Sequence, residues 1–261
     1  MEQNREEYLL ILDAFRKMIY SFENSADSMA HFEDMVIYRA SALMGRALEG
    51  LKIDFERALE ILQAKNISLT QREEMERDRL IAAFDNLVDF AVAEEYAMIR
   101  ELPDELNLEE MERYESICER YNLHYAKIEN EQVLHAATIA YFWIGSSEES
   151  IITYNTQNDE RVRAWHQSFD GLSYRKGEFP PELIPPIEWA CRCFLTSGSY
   201  GYVSGSTLKP EIKYDPIFSE SLATCGRIFS DAHPYFKKKI PKEVVDVAYN
   251  IKQKLYAKNI T

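Results

Sequence analysis

Apolar residues return at steps of three and four through most of the first half of the chain. This is the period of helices that bury one face. Tyr8, Ile11, Phe15, Met18 and Phe22 form the first such stripe, and a turn at Asn24-Ser25 follows it. A second helix is predicted from about Asp27 to Ala64, because Leu43, Ala47, Leu51, Phe55 and Leu59 keep four-residue strides. Gly45 and Gly50 lie inside it, where they either weaken the helix or admit a close neighbour. Asn66 to Thr70 breaks the pattern. Thr70-Gln71-Arg72-Glu73 then has capping-box form, with threonine and glutamate side chains each reaching the other's amide. A third helix carries Leu80, Phe84, Leu87, Ala91 and Met98 on its apolar side. It ends at Leu102-Pro103, since proline disfavours a helical residue before it. Asn107-Leu108-Glu109-Glu110 opens a fourth helix running to roughly Lys127. Asn130 to Ile144 fits helix in its first half and is ambiguous beyond it.

The pattern changes near Gly145. Gly145-Ser146-Ser147 reads as a loop and Ile151-Ile152-Thr153-Tyr154 as a short strand. From there to about Gly205 the chain is rich in Gly, Pro, Ser and aromatic residues with short apolar pieces. Phe194-Leu195 is a second strand candidate, and Ser197-Gly198-Ser199-Tyr200-Gly201 reads as a loop. The tail closes with a helix: Pro241 suits its first turn, and Val244, Val247, Ile251 and Leu255 form its stripe. The expected fold class is therefore α+β, predominantly α. Residues 1–148 form a helical region, 149–236 a small irregular α+β module, and 237–261 a C-terminal helix.

Composition narrows the partners. Of the 261 residues 46% are apolar, enough for a substantial core. The formal net charge of −14 opposes binding to a phosphate backbone, which draws its affinity from Lys and Arg. Lys237-Lys238-Lys239 is the only three-residue basic run, so direct nucleic-acid binding is not expected. The acidic surface suits protein partners. The 16 Tyr and 13 Phe leave room for extensive protein contacts. Four cysteines are too few and too irregular for a disulfide framework. The N-terminus has no basic and apolar signal segment, and Val133 to Ile144 is too short to span a bilayer. A soluble protein made in a reducing cytoplasm, with no membrane association, is the expectation.

Candidate chemistry concentrates in one region. Asp159-x-Arg161-Val162-Arg163-x-x-His166 is followed by Asp170-Gly171, then Pro185-Pro186, then Cys191-Arg192-Cys193. These elements in this order resemble the signature of the Mu F-like phage head morphogenesis proteins, also called minor head or minor capsid proteins. Tyr154 to Cys193 carries the diagnostic part, and His233-Pro234-Tyr235-Phe236 resembles a tail feature of some members. The resemblance covers less than half the chain. Two departures are visible: the approach to the Arg-Val-Arg element is Thr156-Gln157-Asn158-Asp159-Glu160, and a second proline pair, Pro180-Pro181, precedes the first.

The resemblance implies a virion component of a phage or prophage, present in the virion and the host bacterial cytoplasm. Such a protein contacts portal or capsid proteins and assists head assembly or genome delivery. Some family members carry a toxin domain after this module; here the sequence continues for one helix past His233. A bacterial adaptor derived from a prophage, acting through the helical half, is a further reading.

The residues themselves admit three chemistries. A structural network is favoured: Asp159 caps a turn, and Arg161 and Arg163, on one face of a strand, meet Asp170 or Glu188 as fixed pairs. Arg163→Ala would then cost about 2–4 kcal/mol, the penalty of leaving a buried charge unpaired. The alternative is catalysis by a metal-dependent hydrolase or nuclease, with His166 as base and Asp159 or Asp170 as its orienting partner. No nucleophile elbow or phosphate loop accompanies it. The third is metal binding. No cofactor is expected, but His166, Cys191 and Cys193 offer zinc ligands, with Asp170 or Cys225 as a fourth. Trp165 and Trp189 read as core aromatics stapling the loop around the proline pair. His31, His124 and His135 read as ordinary, partly buried helical residues.

Overall fold

The computed structural model describes residues 2–63, 71–198 and 215–256. Its helical body consists of α1 (Glu2–Tyr20), α2 (Ser25–Leu51), α3 (Phe55–Gln63), α4 (Gln71–Ile99), α5 (Met111–Glu119) and α6 (Ala126–Gly145). Among the described residues three short strands follow, β1 (Ile151–Asn155), β2 (Ser173–Arg175) and β3 (Phe194–Gly198), with the one-turn helix α7 (Ala164–Gln167) between β1 and β2. Helix α8 (Lys242–Tyr256) is the last element of the described residues. The fold is α+β and mostly helical.

Asn24 starts α2 by accepting from the Ala26 amide at 3.2 Å. This satisfies a donor with no intrahelical partner. The single helix predicted over 27–64 is in fact two. Lys52 adopts the left-handed conformation at the end of α2 (φ 55), and Asp54 accepts from the Arg57 amide at 2.7 Å, capping α3. The four-residue stride had been carried across this break; Leu43, Ala47 and Leu51 are buried, but Phe55 is 64% exposed. Phe22 likewise falls in the turn after α1 and is exposed. The Thr70 capping box lies outside the described residues.

The α4 stripe of Leu80, Phe84, Leu87, Ala91 and Met98 is buried throughout. Asn107 caps a single 3-10 turn, accepting from the Glu109 amide at 3.0 Å. The helix it opens does not stop near Lys127. A π-helical turn, Arg120–Tyr125, joins α5 to α6, and helix continues to Gly145.

Helix α2 runs against α1, α4 and α6. Gly50 is what lets α2 and α6 touch: a Cβ there would stand 2.5 Å from Ala137 Cβ and 2.7 Å from the Leu134 carbonyl oxygen. Gly45, by contrast, faces open space.

The sheet is antiparallel in the order β2-β1-β3. Alternation along β1 buries Ile152 and Tyr154. Ile152 pairs with Tyr174 of β2 and with Ser197 of β3. Strand β2 was not predicted, and Ser197 and Gly198, expected in a loop, end β3.

The segment from Asp215 to Phe236 returns to the helical body. Asn86 of α4 holds it with three buried bonds: it donates to the Phe229 carbonyl at 2.9 Å and accepts from the Ile228 and Phe229 amides at 2.9 and 3.0 Å. Phe90 stacks on Phe229 at 4.2 Å and meets His233, Tyr235 and Phe236 at its edges. Helix α8 then packs on α4, burying Val244, Val247 and Ile251. One hydrophobic core runs from α1 through the sheet to α8. No helix among the described residues is long and apolar enough to cross a membrane.

Candidate functional site

The sequence motif folds around the ends of β1 and β3. Asp170-Gly171 makes the turn into β2. Gly171 takes a positive φ of 81°, which glycine adopts without a Cβ clash, and its amide donates to the Tyr154 carbonyl at 2.9 Å. Asp170 receives the Thr156 amide at 2.6 Å and the Thr156 hydroxyl at 3.0 Å, which locks the turn to the end of β1.

The Asp159–Arg163 stretch is a turn, not a strand, so strand alternation does not place its two arginines, though both border the depression beside His166. The Asp159 carboxylate accepts the Arg161 amide at 3.1 Å and a two-point bond from Arg192 at 2.5 and 2.8 Å. Hydrogen bonding to Arg192 holds that carboxyl below the usual carboxylate range. Arg161 is exposed, and its side chain forms no ion pair among the described residues. Arg163 does meet Glu188, Nε to Oε1 at 2.7 Å, and also donates to the Trp189 carbonyl at 2.9 Å. With its side chain 42% exposed, Arg163 is not the buried charge expected.

His166 sits on α7 and is buried. Its neighbours are neither Asp159 nor Asp170. Nε2 lies 2.8 Å from Glu188 Oε1, and Nδ1 lies 3.2 Å from Cys193 Sγ and 3.9 Å from Cys191 Sγ. The Pro185-Pro186 peptide is cis, and both prolines are buried. Ala190 takes a positive φ of 56° immediately before Cys191, and both thiols turn inward.

Ligand atoms of His166, Cys191 and Cys193 all lie within 4.8 Å of one another. Cys225 is exposed and donates to the Ser221 carbonyl; it does not join them. Contact with Cys193 first, and with His135 and His166 after it, pulls the Cys191 thiol well below the ordinary thiol range. Burial, with the two thiols close by, pushes the Tyr154 phenol up. Trp165 meets the His166 ring edge-on at 4.0 Å. Trp189 packs edge-on against Phe218 and beside Phe229 and His233. Both indoles are only partly buried, though packed against the core.

The depression over this cluster, lined by Gln157, Arg163, His166, Ala190 and Cys193, holds about 10 Å³. That is roughly the space of one water, so the arrangement is a packed node of soft donors and paired ions.

Sequence reasoning missed two groups. One is His135, whose signal was a lone imidazole inside the apolar run Val133 to Ile144. The other is a polar core in the helical body. Arg39, buried, bonds Glu94 of α4 at 2.6 Å and Glu129 and Asn130 of α6 at 2.6 and 2.7 Å. Glu95 beside it is also fully buried, and Asn122 donates to it at 3.3 Å. Burial pushes its carboxyl up to about 8.

Residues 97–196, from the end of α4 into β3, match the family described as Phage Mu protein F like protein. An uncharacterized protein of Methanocaldococcus jannaschii, MJ0329, is 44% identical over 45 residues, or 17% of this chain. The chain covers about 7% of that protein's length. No solved structure matches.

Proposed function

Since residues 97–196 of this chain are Phage Mu F-like, we propose that it is a minor head protein of a phage or prophage. In this reading it contacts portal or capsid proteins and assists head assembly or genome delivery. The family match carries the reading, because it spans the helices and strands that build the buried node. The net charge of −14 supports protein rather than nucleic-acid partners. Leu9, Leu10, Tyr20 and Phe22 leave apolar surface on and beside α1, which suits a chain that docks into an assembly. A hydrolase or nuclease finds less support. Asp159 is committed to Arg192, and the depression beside His166 would admit little more than a water.

The test follows the chain through assembly. In a lysate of the phage or prophage that encodes it, a tagged copy should sediment with procapsids and heads and crosslink to the portal. Deleting the gene should yield defective heads or particles that fail to deliver DNA. Normal infectious particles from the deletion, with the tagged chain absent from every head fraction, would overturn the proposal.

A further inference from the structure

We propose that His135, His166, Cys191 and Cys193 together hold one zinc ion, with His135 as the fourth ligand. Three of these are already gathered: Cys191, Cys193 and His166 are buried, with ligand atoms within 4.8 Å of one another. Zinc–sulfur bonds of about 2.3 Å and zinc–nitrogen bonds of about 2.0–2.1 Å in a tetrahedron place sulfur and nitrogen ligands about 3.6 Å apart. The observed separations from His166 Nδ1, 3.2 and 3.9 Å, bracket that distance.

His166 presents Nδ1 to the thiols, while its Nε2 stands 2.8 Å from Glu188 Oε1 without hydrogen-bond geometry. A small turn of the ring would complete the carboxylate contact that commonly orients a metal-bound histidine.

The fourth position is assigned by His135 of α6. His135 stands outside the trio whose ligand atoms lie within 4.8 Å of one another, but it is near enough to influence the Cys191 thiol, and its Nε2 is buried with no hydrogen-bond partner. Buried polar atoms are nearly always satisfied, and an unmet one calls for an ion or water. One turn earlier on the same helix, Gln132 donates to the Glu188 carbonyl at 3.4 Å, so this face of α6 abuts the loop that carries the cysteines. Asp170 bonds Thr156 through Oδ1 and Cys225 is exposed; neither is among the gathered ligand atoms. Two thiolates and two imidazoles suit zinc in a closed structural site. Such a site would tie α6, α7 and the approach to β3 into one unit.

The measurement is metal content and affinity on the full chain, kept reduced. Protein purified with zinc present should carry about one equivalent by mass spectrometry of the metal. Cobalt(II) added to the stripped chain should give a tetrahedral spectrum with thiolate charge transfer. His135→Ala should weaken zinc binding by more than the roughly 10–100-fold that loss of an outer-shell partner costs, with helical circular dichroism unchanged. Cys225→Ser and Asp170→Asn should bind as the parent does. Because Cys191 is buried in the core, stripping zinc from the parent chain, rather than Cys191→Ser, serves as the second readout: its thermal midpoint should fall and recover when zinc returns. A folded, reduced chain that takes up neither zinc nor cobalt would overturn the site. Full affinity in His135→Ala would overturn the fourth ligand.

Discussion

Replacing Glu95 with glutamine should make the protein more stable at pH 8 and leave it little changed near pH 4.5. Glu95 is fully buried on α4, with Glu94 raising its proton affinity and Arg39 lowering it less than burial raises it. Its carboxyl is pushed from an ordinary 4.5 up to about 8. Between those values the native chain keeps a proton that the unfolded chain has released. Stability attributable to this group is therefore whole below pH 4.5 and is lost as pH rises toward 8. At about 1.4 kcal/mol per pH unit, the loss approaches about 5 kcal/mol across the window. Glutamine has nearly the same shape, can still accept from Asn122 through its carbonyl oxygen, and does not titrate. Urea unfolding of parent and Glu95→Gln at intervals from pH 5 to 8 reads the difference directly. Groups that do not touch Glu95, including His233 and the cysteine pair, are shared by the two chains and cancel; Glu94, Arg39 and Cys118, which interact with Glu95, respond to its charge and so belong to the same effect. The gap should widen steadily in favour of the variant. A gap that does not change with pH would refute the reasoning, since it would mean that Glu95 is ionised in the fold.

Packing and exposure decide three further substitutions. Gly50→Ala should cost about 1–3 kcal/mol, the range for overpacking a close contact, because its Cβ meets α6 backbone and Ala137; Gly45→Ala, facing open space, should gain about 0.5–1 kcal/mol. Thermal or urea unfolding of the pair checks both signs. Arg163→Ala should cost at most about 1 kcal/mol in the same assay, as for exposed ion pairs, because its side chain is 42% exposed. A loss of several kcal/mol would restore the buried network that the sequence alone suggested.

The helical half was legible because its signal is local. The α4 stripe from Leu80 to Met98 and the α8 stripe of Val244, Val247 and Ile251 are buried as their spacing requires. A burial period reports only which face turns inward. It passed over the α2–α3 break because Phe55 fell on the stride; the stop lies in the capping chemistry of Lys52 and Asp54. Strand β2, at three residues, is too short to show alternation.

In the motif region, residue types announced a node of ions and thiols but could not choose partners. Asp159 takes Arg192, Asp170 takes Thr156, and Glu188 stands between Arg163 and His166. The sequence by itself determined the predominantly helical α+β class, the buried stripes and the gathering of His166 with the two cysteines. Tertiary structure alone decided that Arg39 meets Glu94 and Glu129 across 55 and 90 residues, and that Asn86 of α4 holds Ile228 and Phe229. Such partners are set by which helix faces cross and at what height. That depends on the packing of every side chain between them, Gly50 included, and no local spacing encodes it.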